Sequence, residues 1–137
     1  MTIKALNRAA IALAITAGMG GTAFAKDPAP AQPNAQRGKV LFLQCAACHS
    51  VDPSGAKKIG PNLRGIVGAT AGSRSNFTYS AAFASAKKRG MRWDAKTLDA
   101  FIAKPREVVP GNGMTFGGIA DAAKRSDIIA YLKSLQQ

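Results

Sequence analysis

Acidic side chains are scarce in this chain of 137 residues, with 7 aspartates and glutamates against 19 lysines and arginines. Sulfur ligands and imidazole are scarcer, with two cysteines and a single histidine. A structural zinc site wants four ligands, and three candidates cannot complete one. No strand pairing is evident, which removes the βαβ setting of a thioredoxin-like cysteine pair. Long apolar runs are missing as well. The longest, Ala9 to Ala17, ends at the Gly18–Gly21 cluster and falls short of the roughly 20 residues that cross a bilayer. No internal repeat is present.

The beginning of the chain has the layout of an export signal. Lys4 and Arg8 precede the apolar run, and Ala23-Phe24-Ala25 supplies a small-residue cleavage site. Residues 1–25 are therefore expected to be cleaved, leaving a soluble periplasmic protein. Residues 26–34 are rich in proline and alanine and read as a flexible leader. Residues 35–137 remain as one small domain. Setting aside Lys4 and Arg8, this mature part carries 17 basic and 7 acidic residues, a net of +10. Such an excess implies acidic partner surfaces or anionic lipid; nucleic acid is a poor candidate for an exported protein.

Four helices are legible. Asn34 caps the first, running to about Ala47 with Val40, Leu41 and Leu43 among its apolar residues. A second runs from Tyr79 to Arg89 with Ser80 as cap, stopping at Gly90. Asp94 caps a third, which places Leu98, Phe101 and Ile102 on one face before Pro105. The clearest spans Asp121 to Leu135, with Ile128, Tyr131, Leu132 and Leu135 at i, i+3, i+4 and i+7. Ser54 to Phe77 contains five glycines and one proline and no regular pattern. A loop of that length in a compact domain is unusual and fits a core filled by something other than protein. The chain reads as all-α.

All the thiol and imidazole chemistry falls in "CAACH", Cys45 to His49. A disulfide between Cys45 and Cys48 closes so short a loop that it stabilises little, and it leaves His49 idle. C-x-x-C-H is the attachment signature of c-type haem. On a helix the two thiols share a face and reach the two vinyl groups of one porphyrin, and His49 turns a ring nitrogen to the iron. Met91 and Met114 are the candidates for the second axial position. Met114 sits in the glycine-rich "PGNGMTF" and is the better placed, since Met91, beside Gly90 and Trp93, reads as a packing residue. His/Met ligation is that of electron-carrying cytochromes c.

From about Gly38 to Leu135 the chain resembles the class I c-type cytochromes, of the mitochondrial or bacterial c2 kind. "CAACHSV", "KKIGPNLRGIVG", "NFTYSAAF", "GMRW", "TLDAFIAKPREVVPGNGMTF" and "RSDIIAYLKSL" carry the resemblance, in family order. It implies the cytochrome c fold, helices wrapped around one haem attached through Cys45 and Cys48, with His49 and Met114 as axial ligands. By position, the Pro61 carbonyl is expected on the His49 ring N–H, and Tyr79 and Trp93 on a buried haem propionate. Phe116 is expected beside the exposed haem edge, and Gly38 and Phe42 with Tyr131 at the crossing of the first and last helices. Four positions depart from the family. Ala69 stands where many relatives have a propionate-side arginine, and Phe101 where a tyrosine often bonds the methionine sulfur. Gly113 and Glu107 replace lysines around the haem edge.

The resemblance implies a monomeric one-electron shuttle and not an enzyme. Its basic surface would steer it to acidic docking sites on a reductase, oxidase, reaction centre or dehydrogenase, with transient contact at a membrane surface. Lys57, Lys58, Lys87, Lys88, Arg89 and Lys104 are the candidate docking residues. The competing reading is a haem enzyme or gas binder with iron open on the Met114 side. It has no second histidine to assist it, and only the missing Phe101 hydroxyl in its favour.

Overall fold

The structure is a computed structural model and describes residues 32–136. The expected signal segment, 1–25, and the leader up to residue 31 lie outside the described residues. Six helices follow one another: α1 (Ala35–Leu41), α2 (Leu43–Ala46), α3 (Ala81–Lys88), α4 (Ala95–Ala103), α5 (Pro105–Val108) and α6 (Ala122–Ser134). Among the described residues there is no strand, only an isolated antiparallel bridge between Thr70 and Arg92.

Three helix starts are set by short polar caps. Asn34 accepts from the Arg37 amide at 2.9 Å, Asp94 from Thr97 at 2.7 Å and Asp121 from Ala123 at 2.9 Å; such a cap contributes about 1 kcal/mol. Ser80 occupies the corresponding position of α3, but its hydroxyl makes no capping bond. Two further features differ from the sequence reading. The first helix is interrupted at Phe42, whose ring is buried and meets Tyr131 at a centroid distance of 5.4 Å. The ladder shortens there to an i→i+3 bond from the Cys45 amide to the Phe42 carbonyl. Pro105 does not simply stop a helix. It pushes Lys104 out of the helical region (φ −149°, ψ 76°) and then opens α5, where a missing N–H costs nothing.

The first and last helices cross at Gly38. A side chain there would overlap the Asp127 carbonyl and the Tyr131 Cβ, so only glycine lets the backbones approach this closely. Beside the crossing, the buried Asp127 carboxylate accepts from Arg37 Nε at 2.7 Å, Arg37 Nη2 at 2.9 Å and the Asn34 amide at 2.6 Å. The Arg37 guanidinium holds the Asp127 carboxyl below its ordinary range. Arg125 makes a second clasp, bonding Asp99 of α4 at 2.8 Å and the Ala120 carbonyl at 2.7 Å.

Residues 50–80 contain no helix, yet they are pinned. Buried Asn62 donates to the Asp52 and Ala56 carbonyls and accepts from the Arg64 amide. Bonds between Gly68 and Trp93, Trp93 and Ala69, and Ala71 and Met91, each 2.8 Å, tie this segment to the stretch between α3 and α4. The buried side chains form a shell: Phe42, Ile66, Trp93, Leu98, Ile128 and Leu132 all border one cavity of about 660 Å³. Protein interiors rarely hold voids much larger than a water. This cavity is the centre of the domain.

Candidate functional site

α2 and the turn after it set the cysteines. Their i, i+3 spacing brings Cys45 and Cys48 to the same wall of the cavity, and His49 follows on that wall. Cys45 and Cys48 form no disulfide with each other, and burial pushes the Cys45 thiol up to about 11.

The His49 ring is fixed by the loop ahead of Pro61. The Gly60 amide donates to the Cys48 carbonyl and the Leu63 amide to the Ser50 carbonyl, both at 2.8 Å. This lays the loop across the imidazole. A Cβ on Gly60 would collide with His49 Cε1, so a side chain at this position would displace the ring. His49 Nδ1 donates to the Pro61 carbonyl oxygen at 2.8 Å. That bond leaves Nε2 unprotonated and available as a ligand. Burial lowers the His49 pKa, partly offset by the bond to Pro61, so the neutral ring dominates at neutral pH.

Met114 reaches the same cavity from the loop after α5. Buried Asn112 shapes that loop. Its Nδ2 donates to the Pro105 carbonyl at 3.0 Å and the Val109 carbonyl at 2.8 Å, while its Oδ1 accepts from the Met114 amide at 3.0 Å. Sequence reasoning missed this residue. Its signal is the asparagine between two glycines, two residues before the methionine, which is the pattern of an Asx turn. Met91 is half-buried against the core and is not among the cavity's lining residues.

Tyr79 and Trp93 border the cavity with Thr78 and Ser80, and Phe116 borders it next to Met114. Burial raises the Tyr79 pKa, opposed by the backbone and the guanidinium of Arg74. Phe101 packs edge-on against Trp93 at 4.8 Å and brings no hydroxyl to the cavity. All eight sequence-predicted binding residues, Cys45 to Phe116, therefore line one space. The candidate docking lysines do not converge in this way. Lys58 donates to the Ala46 carbonyl, Lys104 pairs with Glu107 at 3.0 Å, and Lys87, Lys88 and Arg89 close α3.

The donor set fits a covalently held iron porphyrin. Two adjacent thiols, one imidazole with its far nitrogen already bonded, one thioether and a wide apolar wall meet in one enclosure. Among the described residues no three His, Cys, Asp or Glu side chains converge as an all-protein metal cluster.

Comparison with known proteins gives the same assignment. The Cytochrome c family profile matches residues 35–136. Cytochrome c2 of Rhodomicrobium vannielii is 42% identical over 96 residues, covering 70% of this chain and 74% of that one. Cytochrome c2 of Rhodoblastus acidophilus is 39% identical over 99 residues, covering 72% and 90%. Among solved structures, cytochrome cH from Methylobacterium extorquens superposes with a TM-score of 0.67 at 41% identity, covering 74% of this chain and 98% of that one. With its helical shell, its C-x-x-C-H wall and this match over nearly all the described residues, the chain belongs to the cytochrome c family, all-α electron carriers, not enzymes, that bind one covalently attached haem c.

Proposed function

We propose that this chain is a soluble, monomeric periplasmic carrier of single electrons, its haem attached through Cys45 and Cys48 and ligated by His49 and Met114. One observation carries the reading: His49 and Met114 border the same cavity as both thiols, and Nδ1 of His49 is already committed to Pro61. Haem c supplies an iron that alternates between ferric and ferrous states. His49 and Met114 would hold that iron. Pro61 and Gly60 fix the imidazole, Asn112 fixes the backbone of Met114, and the buried Trp93, Leu98 and Ile128 surround the site with apolar side chains. A thioether ligand would favour the ferrous state, raising the potential.

Residues 1–25 carry the features of a secretory signal, and among the described residues no helix is long and apolar enough to cross a membrane. We assign export to the periplasm on that basis. All six candidate docking residues are exposed, which suits brief, electrostatically steered encounters with acidic redox partners, including ones at a membrane surface. The test is spectroscopic. Oxidised mature protein is expected to show the sulfur-to-iron charge-transfer band and to resist cyanide at neutral pH. Rapid cyanide binding without that band would reassign the iron to an open-site chemistry.

A further inference from the structure

Two buried polar side-chain atoms among the described residues have no hydrogen-bond partner, Nε of Arg74 and Oγ of Ser80. Buried polar groups are nearly always satisfied, and an unsatisfied one is costly, more so when charged. Both flank Tyr79. Ser80 is its neighbour in sequence and borders the cavity, and Arg74 is close enough that its charge acts on the Tyr79 phenol. The Arg74 head is anchored on its other side, where Nη2 donates to the Arg64 carbonyl. Ser80 stands at the start of α3 without capping it, and the first turn of that helix contains no acidic residue. The start of α3, the Tyr79 and Ser80 hydroxyls and the Trp93 indole thus line an otherwise apolar enclosure, with the Arg74 guanidinium beside Tyr79 just outside that lining. No aspartate or glutamate lines it. The unpartnered Arg74 Nε can only donate and the Ser80 hydroxyl is free to, which suits an anion.

Haem c brings carboxylates, and an ionised carboxylate leaving water for such a space is costly unless paired. Ala69 offers no charge. Arg92, across the bridge from Thr70, is exposed and donates to the Gly68 carbonyl. Building on the haem assignment above, we infer that Arg74 is the counter-charge of one haem carboxylate and that Ser80 donates to the same group. Arg74 thereby replaces, from a different place in the chain, the cation missing at Ala69. A guanidinium satisfies this role better than an ammonium, because its planar fork can keep the Arg64 carbonyl and still present Nε.

The experiment uses mature haem-loaded protein and follows its midpoint potential against pH. An ionised carboxylate stabilises ferric iron, so the potential falls with rising pH wherever that group titrates. With Arg74 in place the group stays ionised, and the wild-type profile is expected to be flat from about pH 5 to 8. Arg74→Ala should introduce a fall in potential across this window while the charge-transfer band persists. Arg74→Lys should show a smaller fall. Arg89→Ala, which removes an equal charge at the end of α3, should remain flat. Should Arg74→Ala fail to mature, Arg74→Gln gives the same reading. A flat profile for the Ala or Gln variant overturns the proposal, as does an equal fall for Arg89→Ala. These outcomes leave the haem assignment standing, whereas wild-type protein that binds no haem defeats that assignment instead.

Discussion

His49 Nδ1 and the Pro61 carbonyl oxygen lie 2.8 Å apart, although 12 positions separate the residues in the chain. Gly60 makes this contact possible by keeping the space above the ring free of any side chain. Gly60→Ala is therefore expected to tilt the imidazole and to destabilise the protein by about 1–3 kcal/mol, the usual cost of overpacking. Denaturant titration of the haem-loaded protein reads the loss. An unchanged midpoint would mean that the loop moves aside without strain.

Met114→Ala is expected to abolish the charge-transfer band and to admit cyanide at neutral pH. Met91→Leu preserves the volume of a side chain that packs against the core and is expected to retain the band. The opposite pattern would give the axial position to Met91.

Asn112 holds the Met114 loop by three bonds. Asn112→Ala removes all three. The Pro105 and Val109 carbonyls each keep a backbone donor, while the Met114 amide loses the acceptor it has in Asn112, at a cost of about 1–3 kcal/mol. Its consequence at the iron should be faster cyanide entry, with the band weakened but present. Asn112→Asp keeps the acceptor for the Met114 amide and loses both donors, so it should fall lower in stability than in ligand retention. Cyanide kinetics and thermal melts on the same samples separate the two effects.

If the exposed basic residues steer docking, the second-order rate of electron transfer to an acidic redox protein should fall steeply as salt rises from about 10 to 200 mM. Lys87→Gln combined with Lys88→Gln should lessen that slope. A flat salt response would remove the role assigned to these lysines.

Asp127 gives a prediction in pH. Its folded-state pKa is depressed, chiefly by the Arg37 hydrogen bond. Its contribution is therefore fully present above the ordinary carboxylate value near 4 and is lost as pH falls through the lower folded value. Asp127→Asn is expected to be less stable at pH 7, and the gap to wild type should narrow below about pH 4. Urea titrations of both proteins across this range measure it, and a gap of constant size would show that the carboxylate charge contributes nothing.

The helices that begin at Asn34, Asp94 and Asp121 were legible because a cap acts within three residues of itself. The cysteine–histidine wall was legible for the same reason, since its geometry is that of a single turn. Other features depend on contacts made far along the chain. Phe42 interrupts its helix where it packs on Tyr131, and nothing in residues 34–47 alone announces that. Ser80 looks like a cap and leaves its helix uncapped, its hydroxyl buried beside the cavity with no protein partner. Arg74 sits in a stretch read only as irregular, and its place becomes visible once the Arg64 carbonyl and Tyr79 are brought beside it. The loop from Ser54 to Phe77 was correctly read as lacking regular structure. Its fastening by Asn62 and Trp93 was not readable.

Ile128 and Leu132 border the central enclosure from α6, the last helix described, while Cys45 and Cys48 border it from α2. The wall that carries the thiols and the wall that faces them thus come from opposite ends of the described chain, and they are brought together by the crossing of α1 and α6 at Gly38.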